Sequence, residues 1–250
     1  MNMKKNKHSF TSENITKTLH KNLEFTATEQ YKLLRTNLYF TIPQEEKCPV
    51  IGITSAMRGG GKSTTAINLS YVLAENGHKV LLIDGDLRIP SVAMKMNIPA
   101  TPGLTDLIMG KEVDFSAFQS SELENWYIVP SGEIPPNPSE LLGSARMEGV
   151  LTKLKEVFDY IIVDLPPVNL VTDALSISKF ITGMILVIRE GYTAKKELEH
   201  CVRQLKLSNV NVLGCVINDA KSEGGSYGKY YKKYKYYKYY RGSEKGTDAK

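Results

Sequence analysis

Residues 51–65 combine an apolar run, a glycine-rich segment and a Lys-Ser pair. The apolar residues 50–53 predict a buried strand, and the segment from Lys62 to Thr65 opens a pattern typical of a helix. A strand, a glycine loop, Lys-Ser and a helix together form the arrangement that binds polyphosphates. Glycines let backbone N–H groups face the phosphates, and the helix N-terminus adds partial positive charge.

The residue types in this loop predict individual contacts with a magnesium nucleotide. Lys62 is expected to reach the outer phosphates, and the Ser63 hydroxyl is expected to ligate Mg²⁺. Ala56 stands where the motif's first glycine is expected, but the Gly-Lys-Ser core is intact. A flexible turn before a helix is the alternative, which Lys-Ser at a strand-to-helix junction disfavours. The predicted nucleotide contacts are Arg58, Gly59, Gly60, Gly61, Lys62, Ser63 and Thr64.

Three aspartates follow apolar runs that predict buried strands. Asp84 and Asp86 end the run 79–83, and Asp164 ends the run 160–163. A magnesium nucleotide site needs carboxylates of this kind near the metal. Any one strand-end Asp is more often a helix cap or a turn former, but three beside a phosphate loop favour a metal and nucleotide site. Asp86 and Asp164 are predicted to hold Mg²⁺, in part through water.

The elements that must position these residues alternate between apolar strands and amphipathic helices. Such alternation predicts an α/β fold with a doubly wound, mainly parallel sheet, in which ligands bind at the carboxyl ends of strands. The predicted strands are 50–53, 79–84, 126–130, 160–164, 184–188 and 211–218. The predicted helices are 28–40, 62–73, 104–109, 139–142, 147–158, 173–180 and 194–207.

Composition divides the 250 residues into three parts. Residues 1–24 are polar and aperiodic, which predicts a mobile segment, and residues 25–220 have the composition of one globular domain. No apolar run approaches the roughly 20 residues that cross a bilayer, and the lysine-rich first residues are not expected to form a secretory signal. The three cysteines are scattered without metal-ligand spacing, which is typical of a reducing cytoplasm.

The C-terminal residues 221–250 form a basic, tyrosine-rich tail. They hold nine Lys or Arg and three Asp or Glu, a balance of +6, whereas residues 25–220 carry −4. Residues 224–242 contain eight of the fourteen tyrosines and no aliphatic residue, so this segment is predicted to be disordered. The eight tyrosines are Tyr227, Tyr230, Tyr231, Tyr234, Tyr236, Tyr237, Tyr239 and Tyr240.

Three segments and this tail resemble the bacterial tyrosine kinases. Residues 81–90, LLIDGDLRIP, resemble the Walker A′ motif of that family, and residues 160–168, YIIVDLPPV, resemble its Walker B motif. Residues 131–142, SGEIPPNPSELL, resemble the segment typical of its capsule and exopolysaccharide branch. The resemblance covers roughly residues 25–240 and implies a P-loop NTPase fold of the deviant-Walker type.

The resemblance also implies what the site does. It implies ATP-dependent autophosphorylation of the tail tyrosines between neighbouring subunits. Asp84 is then the candidate base for the tyrosine hydroxyl, because it ends the strand beside the phosphate loop, and Lys62, Asp86 and Asp164 complete the candidate catalytic set. Carried over from the wider superfamily, Asn218 is expected to hydrogen-bond the adenine base.

The family's ring-forming motif, Glu-x-x-Arg-x-x-Arg, has a counterpart in the predicted N-terminal helix. Here it reads Glu29-x-x-Lys32-x-x-Arg35, within a predicted oligomerisation helix 28–41. Without the resemblance, these residues would be a solvated charged face. Lysine cannot make the bidentate contact that arginine makes, so the ring contact is expected to be weaker here. The expected assembly is a homo-oligomeric ring, with the octamer as the candidate size.

The implied cellular partners follow from the same family. They are a membrane polysaccharide co-polymerase that acts as activator from a separate chain, a protein-tyrosine phosphatase and sugar-pathway enzymes as candidate substrates. The expected location is the cytoplasm, at the inner face of the membrane, with a role in control of capsular or extracellular polysaccharide export. No nucleic acid partner is expected.

Two other functions stay open at this stage. A positioning or partition ATPase of the same superfamily carries a signature lysine five residues before the loop lysine, and this chain has Met57 there. A polyanion-binding or membrane-surface protein would act through the basic tail. Tyrosine at eight of nineteen tail positions exceeds what base stacking requires.

Overall fold

Six apolar segments pair into one sheet in the computed structural model, which describes residues 19–220. The strands are β1 (Val50–Ser55), β2 (Val80–Asp84), β3 (Trp126–Val129), β4 (Tyr160–Asp164), β5 (Gly183–Arg189) and β6 (Val212–Asn218). Their order is β3-β2-β4-β1-β5-β6, and every neighbouring pair is parallel. Strands β1 and β2 are buried along their whole length, as parallel strands covered on both faces should be. The predicted doubly wound parallel sheet is confirmed.

The register of the central strands brings the strand ends together. Asp84 at the end of β2 pairs with Asp164 at the end of β4, and Asp164 also pairs with Ile53 of β1. Strand β1 then continues into the glycine loop. Because parallel strands end at the same edge of a sheet, the loop and both aspartates meet there.

Helices cover both faces of the sheet. They are α1 (Phe25–Thr41), α2 (Lys62–Glu75), α3 (Val92–Met96), α4 (Leu104–Ile108), α5 (Pro138–Leu142), α6 (Ala145–Lys155), α7 (Asp173–Ser176) and α8 (Lys195–Leu207). Alternate residues of one strand face opposite layers, so Leu82 packs with Leu69 of α2 and Ile83 packs in the layer of Leu151 of α6. None of the helices within residues 19–220 has the length and apolar content needed to cross a bilayer.

Helix α3 is absent from the predicted elements. It begins where Asp84 Oδ2 accepts hydrogen bonds from the backbone N–H groups of Ser91 (3.0 Å) and Val92 (2.9 Å). The capping carboxylate lies seven and eight residues upstream, so no local pattern marks this helix start. The predicted helix 173–180 is divided into α7 and the 3₁₀ turn Ser178–Phe180. A further 3₁₀ turn, Phe115–Phe118, is also absent from the prediction.

The folded domain begins earlier than predicted. Leu19 is fully buried and His20 is 7% exposed. The His20 backbone N–H donates to Asn68 Oδ1 of α2 at 2.7 Å, and its ring Nδ1 lies 3.0 Å from Glu122 Oε2. The predicted mobile segment 1–24 is therefore wrong at its C-terminal end. Residues 1–18 and the tail residues 221–250 lie outside the described residues.

Replacement of Leu19 tests this earlier boundary. The Leu19→Ala variant should lose about 2–5 kcal/mol of unfolding free energy, because it removes fully buried methyl groups. Leu207→Ala is the matched control, since Leu207 is 73% exposed at the end of α8 and should change stability by less than about 0.5 kcal/mol. Urea unfolding measures both, and equal values for the two variants would show that Leu19 is not part of the core.

Candidate active site

The glycine loop between β1 and α2 has a backbone that requires glycine. Gly59 and Gly61 have φ values of +77° and +96°, which side chains on L-residues rarely tolerate. A Cβ on Gly61 would also lie 2.0 Å from Asn218 Nδ2. The same amide nitrogen donates to Gly60 O at 3.1 Å. Asn218, at the end of β6, therefore holds the loop. The hydrogen bond from Asn218 to the adenine base stays a prediction for a side chain that already bonds to the loop.

The start of α2 offers backbone donors to an anion. The residue that caps α2 is Gly61, which has no side chain to bond to the first N–H groups of the helix. The first hydrogen bond of the helix runs from Thr65 N to Gly61 O at 2.9 Å. The N–H groups of Lys62, Ser63 and Thr64 precede that bond, so helix geometry leaves them without intrahelical acceptors. Together with the helix dipole, these N–H groups suit an anion, so phosphate binding at this turn stays a prediction that the geometry fits.

Lys62 lies between two carboxylates at the sheet edge. Its Nζ is 2.9 Å from Asp86 Oδ2, 3.3 Å from Asp164 Oδ1 and 3.3 Å from Ser63 Oγ. Burial lowers the pKa of Lys62, but the charges of Asp164 and Asp86 outweigh burial and raise it. The lysine is therefore a protonated cation that neutralises part of the acidic cluster.

Asp84 lies in the same cluster with both oxygens on backbone donors. Its Oδ2 caps α3, and its Oδ1 accepts from Asp86 N at 3.2 Å. The side chain is fully buried. Burial, with the nearby charge of Asp164, raises the pKa of Asp84 to about 7. The pair predicted to face the phosphates together is thus divided, because Asp86 contacts Lys62 whereas Asp84 bonds to the backbone.

The cluster holds more negative than positive charge. Burial raises the pKa of Asp164, although Lys62 and the Ser63 hydroxyl lower it. Among the described residues, two of the three clustered carboxylates pair with the ammonium group of Lys62, and the available donor atoms are carboxylate and hydroxyl oxygens. Mg²⁺ prefers such oxygen ligands and would supply the missing positive charge. The residues present therefore fit a magnesium ion held by Ser63, Asp86 and Asp164.

Comparison with known proteins identifies the family. The family described as AAA domain matches residues 48–213. Tyrosine-protein kinase YwqD of Bacillus subtilis is 39% identical over 204 residues, which cover 80% of this chain and 86% of YwqD. The chain belongs to the bacterial tyrosine-protein kinases.

Solved structures of this kinase family share the fold. The chimerical protein CapA2B2 superposes with a TM-score of 0.76 at 32% identity, over 83% of this chain and 91% of that chain. The kinase domain of Escherichia coli tyrosine kinase ETK gives a TM-score of 0.71 at 31% identity, over 80% of this chain and 79% of that chain. The resemblance seen in the sequence motifs is thus confirmed across the folded domain.

An ion pair beside the kinase site connects segments that the sequence treats separately. Arg88, two residues after Asp86, donates from Nε to Asp173 Oδ2 (2.9 Å) and from Nη2 to Asp173 Oδ1 (3.0 Å). The Ser139 hydroxyl also donates to Asp173 Oδ1. Asp173 is fully buried at the start of α7. Through this bidentate pair and the Ser139 hydroxyl, the loop after β2 is connected to α7 and α5. The sequence signal for the pair is the position of Arg88 inside the Walker A′ motif.

The loop has two further neighbours, Arg189 and Lys95, that no sequence motif marks. Arg189 Nη1 donates to Gly59 O at 3.3 Å, and its guanidinium lies over the Tyr192 ring at 5.2 Å from the centroid. The predicted nucleotide contact Arg58 is exposed on the loop. Lys95 of α3 approaches the first turn of α2, with Nζ 3.4 Å from Thr64 Oγ1.

The residues predicted to form a ring interface lie on α1, apart from the acidic cluster. Lys32 Nζ pairs with Glu29 Oε1 at 3.1 Å. Arg35 Nη1 donates to Val72 O of α2 at 2.8 Å. Arg35 therefore joins α1 to the domain within one copy, and the interface between copies stays a prediction.

The raised pKa of Asp84 predicts how stability depends on pH without metal or nucleotide. The pKa of Asp84 is about 7 in the folded protein and about 3.9 in the unfolded chain. The contribution of Asp84 to the free energy of unfolding is therefore fully present below about pH 4 and is lost as pH rises through 7. Asp84→Asn cannot lose a proton. In EDTA, the melting temperature of Asp84→Asn minus that of the wild type should therefore increase by about 3 °C or more between pH 5 and pH 8.

Asp114→Asn is the control, because Asp114 is an exposed carboxylate that caps the 3₁₀ turn Phe115–Phe118. Its melting temperature difference should not increase over this pH range. A difference for Asp84→Asn that stays constant between pH 5 and pH 8 would contradict the raised pKa.

Proposed function

We propose that this chain is an ATP-dependent protein-tyrosine kinase that phosphorylates the tail of a neighbouring copy. The observation that supports this most is the position of Lys62, held by Asp86 and Asp164 at the mouth of a phosphate-binding loop. Family membership supplies the acceptor class, since the relatives are named tyrosine-protein kinases. Phosphoryl transfer needs positioning and charge neutralisation more than covalent chemistry, and this site offers both.

The chain's own groups bind and orient the phosphates in this proposal. The N–H groups at the start of α2 receive the phosphate oxygens, and the Lys62 ammonium neutralises the outer phosphates. Lys62 then exchanges part of its contact with Asp86 and Asp164 for contact with phosphate. Ser63, Asp86 and Asp164 would hold Mg²⁺, which supplies positive charge to the phosphate oxygens as the transferred group leaves.

Asp84 is the proposed base for the tyrosine hydroxyl. A carboxylate oxygen can accept two hydrogen bonds, and Asp84 Oδ1 accepts only one from the described residues, which leaves a site on Oδ1 for a second donor. A pKa of about 7 also makes Asp84 a stronger base than an ordinary carboxylate. The proton moves from the hydroxyl to Asp84 while the tyrosine oxygen bonds to phosphorus and ADP leaves.

The acceptors in this proposal are the eight tail tyrosines, which lie outside the described residues. Charge favours their entry into a neighbour's site, because the tail carries +6 and residues 25–220 carry −4. Glu29, Lys32 and Arg35 are proposed to build the ring that brings the tail of one copy to the site of the next. Asn218 is proposed to orient the adenine base from the end of β6.

The cellular role is proposed from the family resemblance. A separate membrane co-polymerase would recruit the kinase to the inner face of the membrane and activate it, in control of capsular or extracellular polysaccharide export. A phosphatase would reverse the modification, and sugar-pathway enzymes are candidate further substrates. A positioning ATPase is the less favoured function, because Met57 replaces its signature lysine.

Replacement of the loop lysine tests the kinase assignment. Lys62→Met should reduce phosphotyrosine formation by about 10³-fold or more, because it removes the cation that meets the outer phosphates. Lys153→Met is the control, since Lys153 is exposed on α6, and it should label as the wild type does. Radiolabelled ATP and an anti-phosphotyrosine blot measure both in protein made without other kinases. Undiminished labelling of Lys62→Met would place the activity elsewhere.

Autophosphorylation should also change the size of the assembly. Each phosphate adds about −1.5 to −2 charge at pH 7, so eight would bring the tail from +6 to roughly −6 to −10. Attraction between tail and acidic domain then becomes repulsion. Light scattering should find a large oligomer for Lys62→Met and smaller species for ATP-treated wild type. Equal masses at matched concentration and ionic strength would contradict this switch, although not the kinase assignment.

A further inference from the structure

Lys95 is a second lysine at the phosphate-binding loop. It lies on α3, and its Nζ is 3.4 Å from the hydroxyl of Thr64, in the first turn of α2. Neither the glycine loop nor the Walker A′ and Walker B segments include it, since residues 81–90 end five positions earlier. Its position beside a helix N-terminus makes it a candidate ligand for an anion.

The charge of Lys95 has no carboxylate partner in the part of the chain that the structure describes. Lys62 differs in this respect, because among the described residues its Nζ lies within 4 Å of the carboxylates of Asp86 and Asp164. Lys95 is half-buried, and burial lowers its pKa; the charge of Lys62 lowers it further, while Asp164 raises it. The charge of Asp164 offsets only part of the cost of burying this cation, since the pKa of Lys95 is still lowered, and an anion bound beside Lys95 would offset more of it.

The fold holds Lys95 in this position. Asp84 Oδ2 accepts the backbone N–H groups of Ser91 and Val92 and so fixes the start of α3. Lys95 follows one turn later, and its side chain reaches α2 where the N–H groups of Ser63 and Thr64 need an acceptor. An anion at that turn would meet helix donors and the Lys95 ammonium together.

We propose that Lys95 binds the phosphate chain of the nucleotide together with Lys62. This inference rests on the proposed function, because it assumes that the loop binds MgATP. Lys95 then supplies the charge-assisted contact on the Thr64 side of the phosphates, and Lys62 supplies the one on the Asp86 side. The unfavourable burial of Lys95 in the free protein is offset when nucleotide binds.

This role and a purely structural role predict opposite effects on stability. If Lys95 binds phosphate, Lys95→Met removes a half-buried charge whose pKa burial lowers, and the melting temperature without nucleotide should stay the same or rise. If Lys95 only supports α3 through Thr64, the same variant should melt at a lower temperature. Nucleotide affinity should fall only if Lys95 contacts the phosphates.

The test compares Lys95→Met, Lys95→Arg and the exposed control Lys153→Met in the full chain. Calorimetry gives the dissociation constants for MgATP and MgADP, and thermal unfolding gives the melting temperature without nucleotide. Lys95→Met should weaken both nucleotides by about tenfold without a lower melting temperature. Lys95→Arg should recover most of the affinity, because it keeps the positive charge, and Lys153→Met should bind as the wild type does.

The outcomes separate this inference from the proposed function. Wild-type affinity of Lys95→Met for both nucleotides overturns the inference and leaves the kinase assignment intact. A tenfold loss that Lys95→Arg does not recover, together with a lower melting temperature, also overturns it, since α3 would then be disturbed. A wild-type chain that does not bind MgATP overturns both the inference and the proposed function.

Discussion

Three carboxylates cluster at the carboxyl edge of the sheet, two of them pair with one buried lysine, and the rest of the site depends on this imbalance of charge. The parallel register places Asp84 opposite Asp164, and Lys62 lies within 3.3 Å of the carboxylates of Asp86 and Asp164. Buried negative charge in excess of its partners is unfavourable, as the raised pKa of Asp84, about 7, indicates. The cluster is therefore suited to accept a further cation, and the adjacent loop is suited to accept the phosphates that would accompany it.

Asp84 connects the chemistry of the site to the local fold. One of its oxygens caps α3, and the other accepts a single backbone hydrogen bond from Asp86. The carboxylate that is proposed to receive a proton therefore also positions Lys95, which lies one turn further along α3. A change at Asp84 should consequently alter both the acid–base properties of the site and the placement of a cation beside Thr64, so the effects of Asp84 and Lys95 variants are not expected to be additive.

Local sequence patterns predicted the elements whose signals are local. The glycine loop, the Lys-Ser pair and the apolar runs before Asp84 and Asp164 are each contiguous, and the structure confirms the strands and the loop that they predict. Contacts between distant residues left no such signal. Helix α3 is capped from Asp84, Arg88 pairs with Asp173 across 85 positions, and Leu19 is buried although its neighbours are polar. These contacts depend on which strands are neighbours in the sheet. Composition and periodicity predict the fold class but not that strand order.

The central claim is that the tail of one copy enters the site of another, and a mixture of two marked copies tests it most directly. One full-length copy carries phenylalanine at all eight tail tyrosines and keeps the site intact; the other carries Lys62→Met and keeps its tail. After addition of MgATP, phosphate should appear on the tail tyrosines of the Lys62→Met copy, and mass spectrometry after separation of the copies would detect it. If that copy stays unmodified while a wild-type chain labels its own tail under the same conditions, transfer between copies is contradicted.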